Sequence, residues 1–176
     1  MYQHILLAVA LQQWDEFSPH AVAAREAAVA LARGSGAKLS VLSVYDYDDT
    51  PEAPSLSSEE LARYRDTQMV RMDELMATKM QAFLAGTPTH ETPITPLLKV
   101  GDPRQLIVAT AEALGVDLLV IGAHSKRSFL DVLLGGTASA VSRHAPCAVV
   151  MVQPGEKRPV GQTSEVGQTL QATIPG

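Results

Sequence analysis

The segment Asp117–Val152, DLLVIGAHSKRSFLDVLLGGTASAVSRHAPCAVVMV, decides the fold. Residues 118–121 are continuously apolar, which is typical of a parallel strand that is covered on both faces. Residues 147–152, CAVVMV, form a second apolar run of the same kind. The stretch between them begins as a polar loop and ends as a helix. The segment therefore predicts a strand, a loop, a helix and a further strand.

Glycines mark both sides of the loop in this segment. Gly122 ends the first strand and allows main chain to come close at the strand's carboxyl end. Gly135, Gly136 and Thr137 start the helix, whose first N–H groups and dipole favour an anion. The loop predicts an anion site between the strand end and the helix start.

The preceding sequence alternates three strands with three helices. Ser18, with Pro19 after it, is a helix cap, as is Asp102 before Pro103. Pro93 interrupts the third strand pattern, as does a second proline, so this strand is predicted at a sheet edge. The predicted strands are 4–10, 38–45 and 92–100, and the predicted helices are 19–36, 57–84 and 103–115.

The order βαβαβαβαβ predicts a single doubly wound α/β domain over residues 1–153, with a five-stranded parallel sheet of order 3-2-1-4-5. Residues 154–176 are polar and without periodicity, and are predicted to be a flexible tail. An apolar stripe on the 57–84 helix is predicted to face the sheet. It consists of Leu61, Tyr64, Met69, Met72, Met76, Met80 and Phe83.

Composition restricts the class of function. The chain has 176 residues, 46% hydrophobic and 19% charged, with a net charge of −5. This acidic balance argues against nucleic acid or an anionic membrane as a partner. No apolar run reaches the length of a membrane span, the N-terminus lacks the pattern of a signal peptide, and Cys147 is the single cysteine. We expect a cytoplasmic protein with a buried, unreactive thiol and no multi-cysteine metal site.

Common catalytic and nucleotide fingerprints are missing from the sequence. There is no GxxxxGK[ST] loop, no GxGxxG after the first strand and no GxSxG. His124 and Ser125 are adjacent, without an acid to orient the histidine, so nucleophilic catalysis is not predicted. The other histidines lack metal-ligand spacing and are interpreted as core-edge or surface residues. They are His4, His20, His90 and His144.

The glycine spacing resembles the motif of the universal stress protein family. Gly122-Ala-His-Ser is followed by nine residues and then by Gly135-Gly136-Thr137, similar to the family's G-x2-G-x9-G-[ST]. The resemblance covers about residues 1–153 and includes the opening strand MYQHILLAV and the closing SRHAPCAVVMV. It implies an adenine-nucleotide site, for ATP and its Mg²⁺, in a stress-response protein. Gly122 and Gly135 match the first and third glycines of the motif, whereas Ser125 replaces the second. The motif places a hydroxyl residue directly after its third glycine; here Gly136 has that position, and Thr137 follows one residue later.

The resemblance also covers the base end of that site. The family's aspartate after the first strand is Ala10 here, and Val44 corresponds to the valine that packs near adenine. Asp15 is a possible substitute for the missing carboxylate or a solvated loop acid. Lys126 and Arg127 either meet phosphate charge or are solvated. The candidate binding residues are Val9, Ala10, Val44, Gly122, Ala123, His124, Ser125, Gly135, Gly136 and Thr137.

Three functions follow from these observations. The first is a regulatory or sensor protein that binds ATP with little or no turnover. The second is a family member with a degraded nucleotide site, acting as a dimeric adaptor or binding another small ligand. The third, a slow ATPase, has no general base or metal carboxylates beside the glycine loop to support it. Because the last strand is apolar and lies at a sheet edge, a homodimer through it is expected.

Overall fold

The computed structural model describes residues 1–12, 16–47, 57–87, 92–122 and 136–155. These residues form five strands that alternate with four helices, as predicted. The predicted tail lies outside the described residues from residue 156 onward. The strands are β1 (His4–Val9), β2 (Lys38–Tyr45), β3 (Ile94–Val100), β4 (Leu118–Gly122) and β5 (Ala148–Val152), and the helices are α1 (Pro19–Ser35), α2 (Ser58–Ala85), α3 (Pro103–Ala113) and α4 (Gly136–His144).

All five strands are parallel, and their order is β3-β2-β1-β4-β5, which confirms the predicted topology. Because β1 lies between β2 and β4, the chain reverses its direction across the sheet at the β1–β4 pair. In doubly wound folds, the carboxyl end of such a pair is where ligands bind. The proline-containing strand β3 lies at one edge, as predicted, with Pro96 opposite Val41.

The sheet separates two hydrophobic cores. Leu7 and neighbouring residues of β1 that point the same way pack under α1 and the C-terminal part of α2. Leu6 and Ala8 point to the other face and pack against α3 and α4. This alternation follows from the two-residue period of a strand, and it explains why the central strands are apolar throughout.

The helix ends follow local chemistry. Ser18 Oγ accepts from Ala21 N–H at 3.2 Å at the start of α1, and Gly36 ends that helix with a φ of 70°. The side chain of Ser57 accepts from Glu60 N–H, and the Glu60 carboxylate accepts from Ser57 N–H in return. These caps satisfy N–H groups that have no partner within the helix.

Several predicted boundaries were wrong by one or two residues, and three of them illustrate why. Strand β1 ends at Val9 rather than at Ala10, β3 begins at Ile94 rather than at residue 92, and α3 ends at Ala113 rather than at residue 115. Residues at element ends have few ladder or helix partners, so apolar character extends the predicted pattern past the last bonded residue.

The prediction for α2 was correct only in its C-terminal half. Met76, Met80 and Phe83 are buried, whereas Met69 is 41% and neighbouring Val70 57% exposed. The 28-residue helix is about 42 Å long. An eight-residue strand such as β2 spans about 26 Å. The N-terminal half of α2 therefore has no sheet beneath it.

Cys147 is half-buried, and this burial raises the pKa of its thiol, as does nearby Asp117. A raised pKa keeps the sulfur protonated and slow to react, consistent with the predicted unreactive thiol. Among the helices of the described residues, none combines the length and apolar character needed to cross a bilayer.

Candidate functional site

A cleft of about 610 Å³ lies beyond the carboxyl ends of β1, β2 and β4. Its size is within the range of small-molecule sites. Its floor consists of the strand ends, and its walls are the first turns of α1, α3 and α4. The lining residues are Ala8, Val9, Ala10, Gln12, Ser18, His20, Ala21, Leu42, Val44, Tyr45, Asp46, Gly101, Asp102, Pro103, Arg104, Ile107, Ile121, Gly122, Gly136, Thr137 and Ala138.

Gly122 lines this cleft, where β4 passes beneath the start of α1. A Cβ added at Gly122 would lie 3.0 Å from the main-chain oxygen of His20 and 3.2 Å from its carbonyl carbon. The φ of Gly122 is not positive, so the glycine is required by close packing rather than by conformation. The close main-chain approach that was expected at the end of β4 is therefore made by helix α1 of the same chain.

Helix starts surround the cleft. Helix α1 begins beside Ser18, α3 beside Asp102, and α4 at Gly136. The first N–H groups of each helix have no intrahelical partner, and each helix start carries about half a positive charge. In α4, Gly136, Thr137 and Ala138 all line the cleft. The first turn of this helix is therefore presented to a ligand as an anion-binding surface.

The opposite end of the cleft lies between the loops that follow β1 and β2. Ala10 and Val44 supply apolar surface there. The two loops are joined by Gln12, whose Oε1 accepts from Asp46 N–H at 3.0 Å and whose Nε2 donates to Asp46 C=O at 2.7 Å. The side-chain amide of Gln12 thus pairs with the main chain of Asp46.

Helix α2 supports both of these loops. Tyr45 and Tyr47 donate their hydroxyl protons to one carboxylate oxygen of Asp73, at 2.7 and 2.8 Å. Burial, together with this carboxylate, raises the pKa of Tyr45, and the hydrogen bond to Asp73 raises that of Tyr47. Lys79 Nζ donates to the main-chain oxygens of Leu11 and Gln12.

The turn between β3 and α3 forms one rim of the cleft. Gly101 has a φ of 135°, which favours glycine, and its N–H donates to Tyr45 C=O at 2.9 Å. Asp102 caps α3 by accepting from Arg104 N–H, and it also accepts from Arg104 Nε at 3.1 Å. The Arg104 hydrogen bonds lower the pKa of the Asp102 carboxyl. A carboxylate and a guanidinium are thus present together at this rim.

Comparison with known proteins identifies the family. Residues 1–153 match the model of the universal stress protein family. The chain belongs to this family. A protein of Staphylococcus haemolyticus named as a universal stress protein is 30% identical over 167 residues, which are 88% of this chain and 87% of that protein.

Solved universal stress proteins share the fold. The universal stress protein UspA from Lactobacillus plantarum is 27% identical with a TM-score of 0.56, and the match covers 86% of this chain and 99% of that one. A universal stress protein in complex with cAMP is 19% identical with a TM-score of 0.58, covering 88% and 98% of the two chains. At that identity, the likeness shows the fold alone.

Six of the ten candidate binding residues of this universal stress protein line one cleft. They are Val9, Ala10, Val44, Gly122, Gly136 and Thr137. The other four lie outside the described residues: Ala123, His124, Ser125 and Gly135. Asp15, Lys126 and Arg127 also lie outside them, and so does His90.

Several cleft residues were missed by sequence reasoning. Gln12, Asp46 and Arg104 line the cleft without belonging to the glycine motif, and His20 lines it although it was interpreted as a core-edge or surface residue. The available signal was position: each follows a predicted strand or lies in the first turn of a predicted helix. By contrast, His4 is at the core edge, with Nε2 2.9 Å from Ser40 Oγ.

Over the part of the chain that the structure describes, no three His, Cys, Asp or Glu residues lie close enough together to hold a metal ion. The described carboxylates of the cleft have other contacts. Asp46 Oδ1 accepts from Tyr47 N–H at 2.9 Å, and Asp102 binds Arg104.

Proposed function

We propose that this universal stress protein binds an adenine nucleotide, ATP with Mg²⁺, in the cleft and acts as a cytoplasmic regulator or sensor with little or no turnover. The observation that carries the proposal is the position of the first turn of α4. Gly136, Thr137 and Ala138 line the cleft opposite the end of β4. In a doubly wound fold, this is the position where a helix start receives phosphate.

The end of the cleft at α4, which we call the phosphate end, fits an anionic group that main-chain N–H groups approach closely. A Cβ at Gly136 would have no described atom within 4 Å. Thr137 is half-buried in the cleft and carries the hydroxyl that the family motif places near this point. Arg104 lies at the rim, where its guanidinium is paired with the Asp102 carboxylate.

The base end fits a flat, largely apolar group. Val9, Ala10 and Val44 provide small apolar side chains, and Ile121 closes the floor. A universal stress protein of known structure is in complex with cAMP, which supports an adenine nucleotide as the ligand class in this fold.

Low turnover is supported by the state of the cleft carboxylates. An effective general base lies within hydrogen-bond reach of its proton and has a pKa near the operating pH, whereas the pKa of Asp102 is lowered. Asp102 caps α3 and pairs with Arg104, and Asp46 accepts from the main chain of Tyr47. We expect phosphate release from MgATP at the background rate. Release that scales with protein and disappears in Gly136→Val would contradict this.

A second candidate is an adaptor with a degraded site. Ala10 replaces the carboxylate that the family resemblance places at the base end, and the N-terminal half of α2 exposes Met69 and Val70. This candidate predicts that the protein binds no nucleotide at millimolar concentration while it still assembles with a protein partner.

The proposal is tested by calorimetric titration of MgATP into three proteins. In Gly136→Val the added Cβ has no described atom within 4 Å, and the side chain should obstruct the end of the cleft proposed for phosphate, so binding should be lost. Gly34→Val makes the same change near the end of α1, also without a described neighbour within 4 Å, and should bind as the original does. Binding that persists in Gly136→Val contradicts the proposed location.

We also propose a homodimer through β5. This strand lies at the sheet edge, and its apolar residues are all at least partly exposed, with Met151 at 38%. Edge strands of this kind pair readily with another copy. Sedimentation should find a dimer that Met151→Arg converts to a monomer. Met69→Arg, at a similarly exposed methionine of α2, should remain dimeric.

A further inference from the structure

The pairing of β1 with β2 continues past the end of β1 through a side chain. Val9 lies opposite Ser43, 34 residues further along the chain, and Gln12 and Asp46 keep the same separation of 34 residues. Gln12 Oε1 accepts from Asp46 N–H, and Gln12 Nε2 donates to Asp46 C=O. The amide therefore supplies the acceptor and the donor that a longer β1 would supply from its main chain.

The main chain that follows β1 does not pair with Asp46, because its carbonyl oxygens face Lys79 of α2. In a parallel pair, Asp46 N–H would bond to the carbonyl of the residue before Gln12, which is Leu11. That carbonyl instead accepts from Lys79 Nζ at 3.2 Å, and the Gln12 carbonyl lies 3.5 Å from the same nitrogen. The side chain of Gln12 takes the vacant place.

This pairing fixes which way the Gln12 amide faces. If the amide were reversed, its NH₂ would meet Asp46 N–H and its oxygen would meet Asp46 C=O, so both bonds would be lost. Asp46 is itself held, since Tyr45 and Tyr47 on either side of it donate to Asp73. Both partners of the amide pair are thus positioned by α2, through Lys79 and Asp73.

We propose that Gln12 determines the base specificity of the cleft. A primary amide has two N–H donors and two carbonyl lone pairs, and the bonds to Asp46 use one of each. Gln12 and Asp46 both line the cleft, close to Ala10, whose methyl group offers neither donor nor acceptor. Gln12 is the nearest polar residue after β1 among those that line the cleft. This inference rests on the proposed nucleotide function.

Fixed orientation is what makes the amide selective. A freely rotating glutamine can present either its oxygen or its NH₂ to a base and accepts adenine and guanine alike. With one edge of the planar amide held by Asp46, the free lone pair of Oε1 and the free N–H of Nε2 point in different directions. The base lies on the Oε1 side, where the carbonyl accepts a hydrogen bond from the exocyclic amine of adenine. Guanine places a carbonyl oxygen at the corresponding position, and two acceptors repel. The arrangement therefore favours adenine over guanine.

The test measures dissociation constants for MgATP, MgGTP and inorganic tripolyphosphate by calorimetry. Gln12→Ala should weaken MgATP about tenfold and leave MgGTP and tripolyphosphate within about twofold, so that base preference is lost while phosphate binding remains. Gln81→Ala, on the exposed face of α2, is the control and should retain the preference. Equal weakening of all three ligands, or unchanged or tighter MgATP binding, overturns the assignment.

A second variant tests the fixed orientation. Asp73→Ala releases both tyrosine hydroxyls without touching the cleft ligand, and should lower the ATP-to-GTP preference by about threefold. An unchanged preference overturns the role of α2 in holding the pair. If the original protein binds no nucleotide, the proposed function fails together with this inference. If it binds ATP and Gln12→Ala keeps the preference, only the inference fails.

Discussion

The two ends of the cleft, for which we propose the phosphates and the base of a nucleotide, are built in different ways. At the phosphate end, main chain packs against main chain: β4 passes beneath α1 at Gly122, and α4 begins at Gly136. At the base end, side chains join segments far apart in the chain, as Gln12 does with Asp46 and Tyr45 with Asp73. At Gly122 the first construction leaves no room for an added side chain, whereas the second can lose one bond at a time. Substitutions should therefore have large effects at the first end and graded effects at the second.

The largest effect is expected from Gly122→Val. A Cβ at this position meets the main chain of His20 at 3.0 Å, and main chain cannot move aside as a side chain can. We expect a loss of about 3 kcal/mol in the free energy of unfolding, measured in urea. Gly34→Ala is the control, because it has no described neighbour within 4 Å, and it should be neutral or stabilising by up to about 1 kcal/mol. Equal stability of the two variants would show that the close packing is not required.

A smaller effect is expected at the base end from Tyr45→Phe. The buried hydroxyl of Tyr45 donates to the Asp73 carboxylate at 2.7 Å, so its removal should cost about 1.5 kcal/mol. Tyr47→Phe removes a bond to the same oxygen from a less buried ring and should cost less than about 1 kcal/mol. Urea unfolding of both variants gives the comparison, and a reversed order would contradict the graded construction of this end.

Thr137→Val tests a single hydroxyl at the phosphate end. The substitution keeps the shape of the side chain and removes its donor, so MgATP affinity should fall about fivefold, or about 1 kcal/mol. Thr78→Val, on α2, is the control and should leave affinity unchanged. A Thr137→Val protein that binds as tightly as the original would show that the displaced hydroxyl does not replace the one in the family motif.

The smallest effect is a dependence on alkaline pH. The folded protein raises the pKa of Tyr45 above its value in the unfolded chain, so the protonated phenol is favoured by folding. The resulting stability is fully present below about pH 10 and is lost as the pH rises toward the folded value; at pH 10.5 the loss is about 0.8 kcal/mol. Urea unfolding between pH 9 and 10.5 should show this decline, and Tyr45→Phe should reduce it. Stability that rises over this range would contradict the assignment.

The difference between the two ends also explains which parts of the cleft could be predicted from the sequence. The strand order and the caps at Ser18 and Asp102 follow from local patterns, and the structure confirms them. Gly122 and Thr137, which the glycine spacing also singles out, line the cleft. Glycine spacing records main-chain packing directly, because only one residue type fits. The phosphate end was therefore visible in the sequence.

The base end was not visible because its contacts are long-range. The Gln12 amide pairs with Asp46 because the Leu11 carbonyl, which would otherwise accept from Asp46 N–H, accepts from Lys79 instead. Lys79 lies 67 residues after Gln12, and its Nζ is also close to the Gln12 carbonyl oxygen. No local pattern encodes such a pairing. The exposed half of α2 was missed for a related reason: its methionine spacing predicts a face, but not how far the sheet extends beneath it.

The most direct test of the account is thermal unfolding with and without MgATP. A ligand that binds only the folded protein stabilises it by about 2.7 kcal/mol at 100 times its dissociation constant. The account predicts a rise of the unfolding temperature with MgATP that depends on concentration and is absent in Gly136→Val. No shift with MgATP, GTP or AMP at millimolar concentration would contradict it.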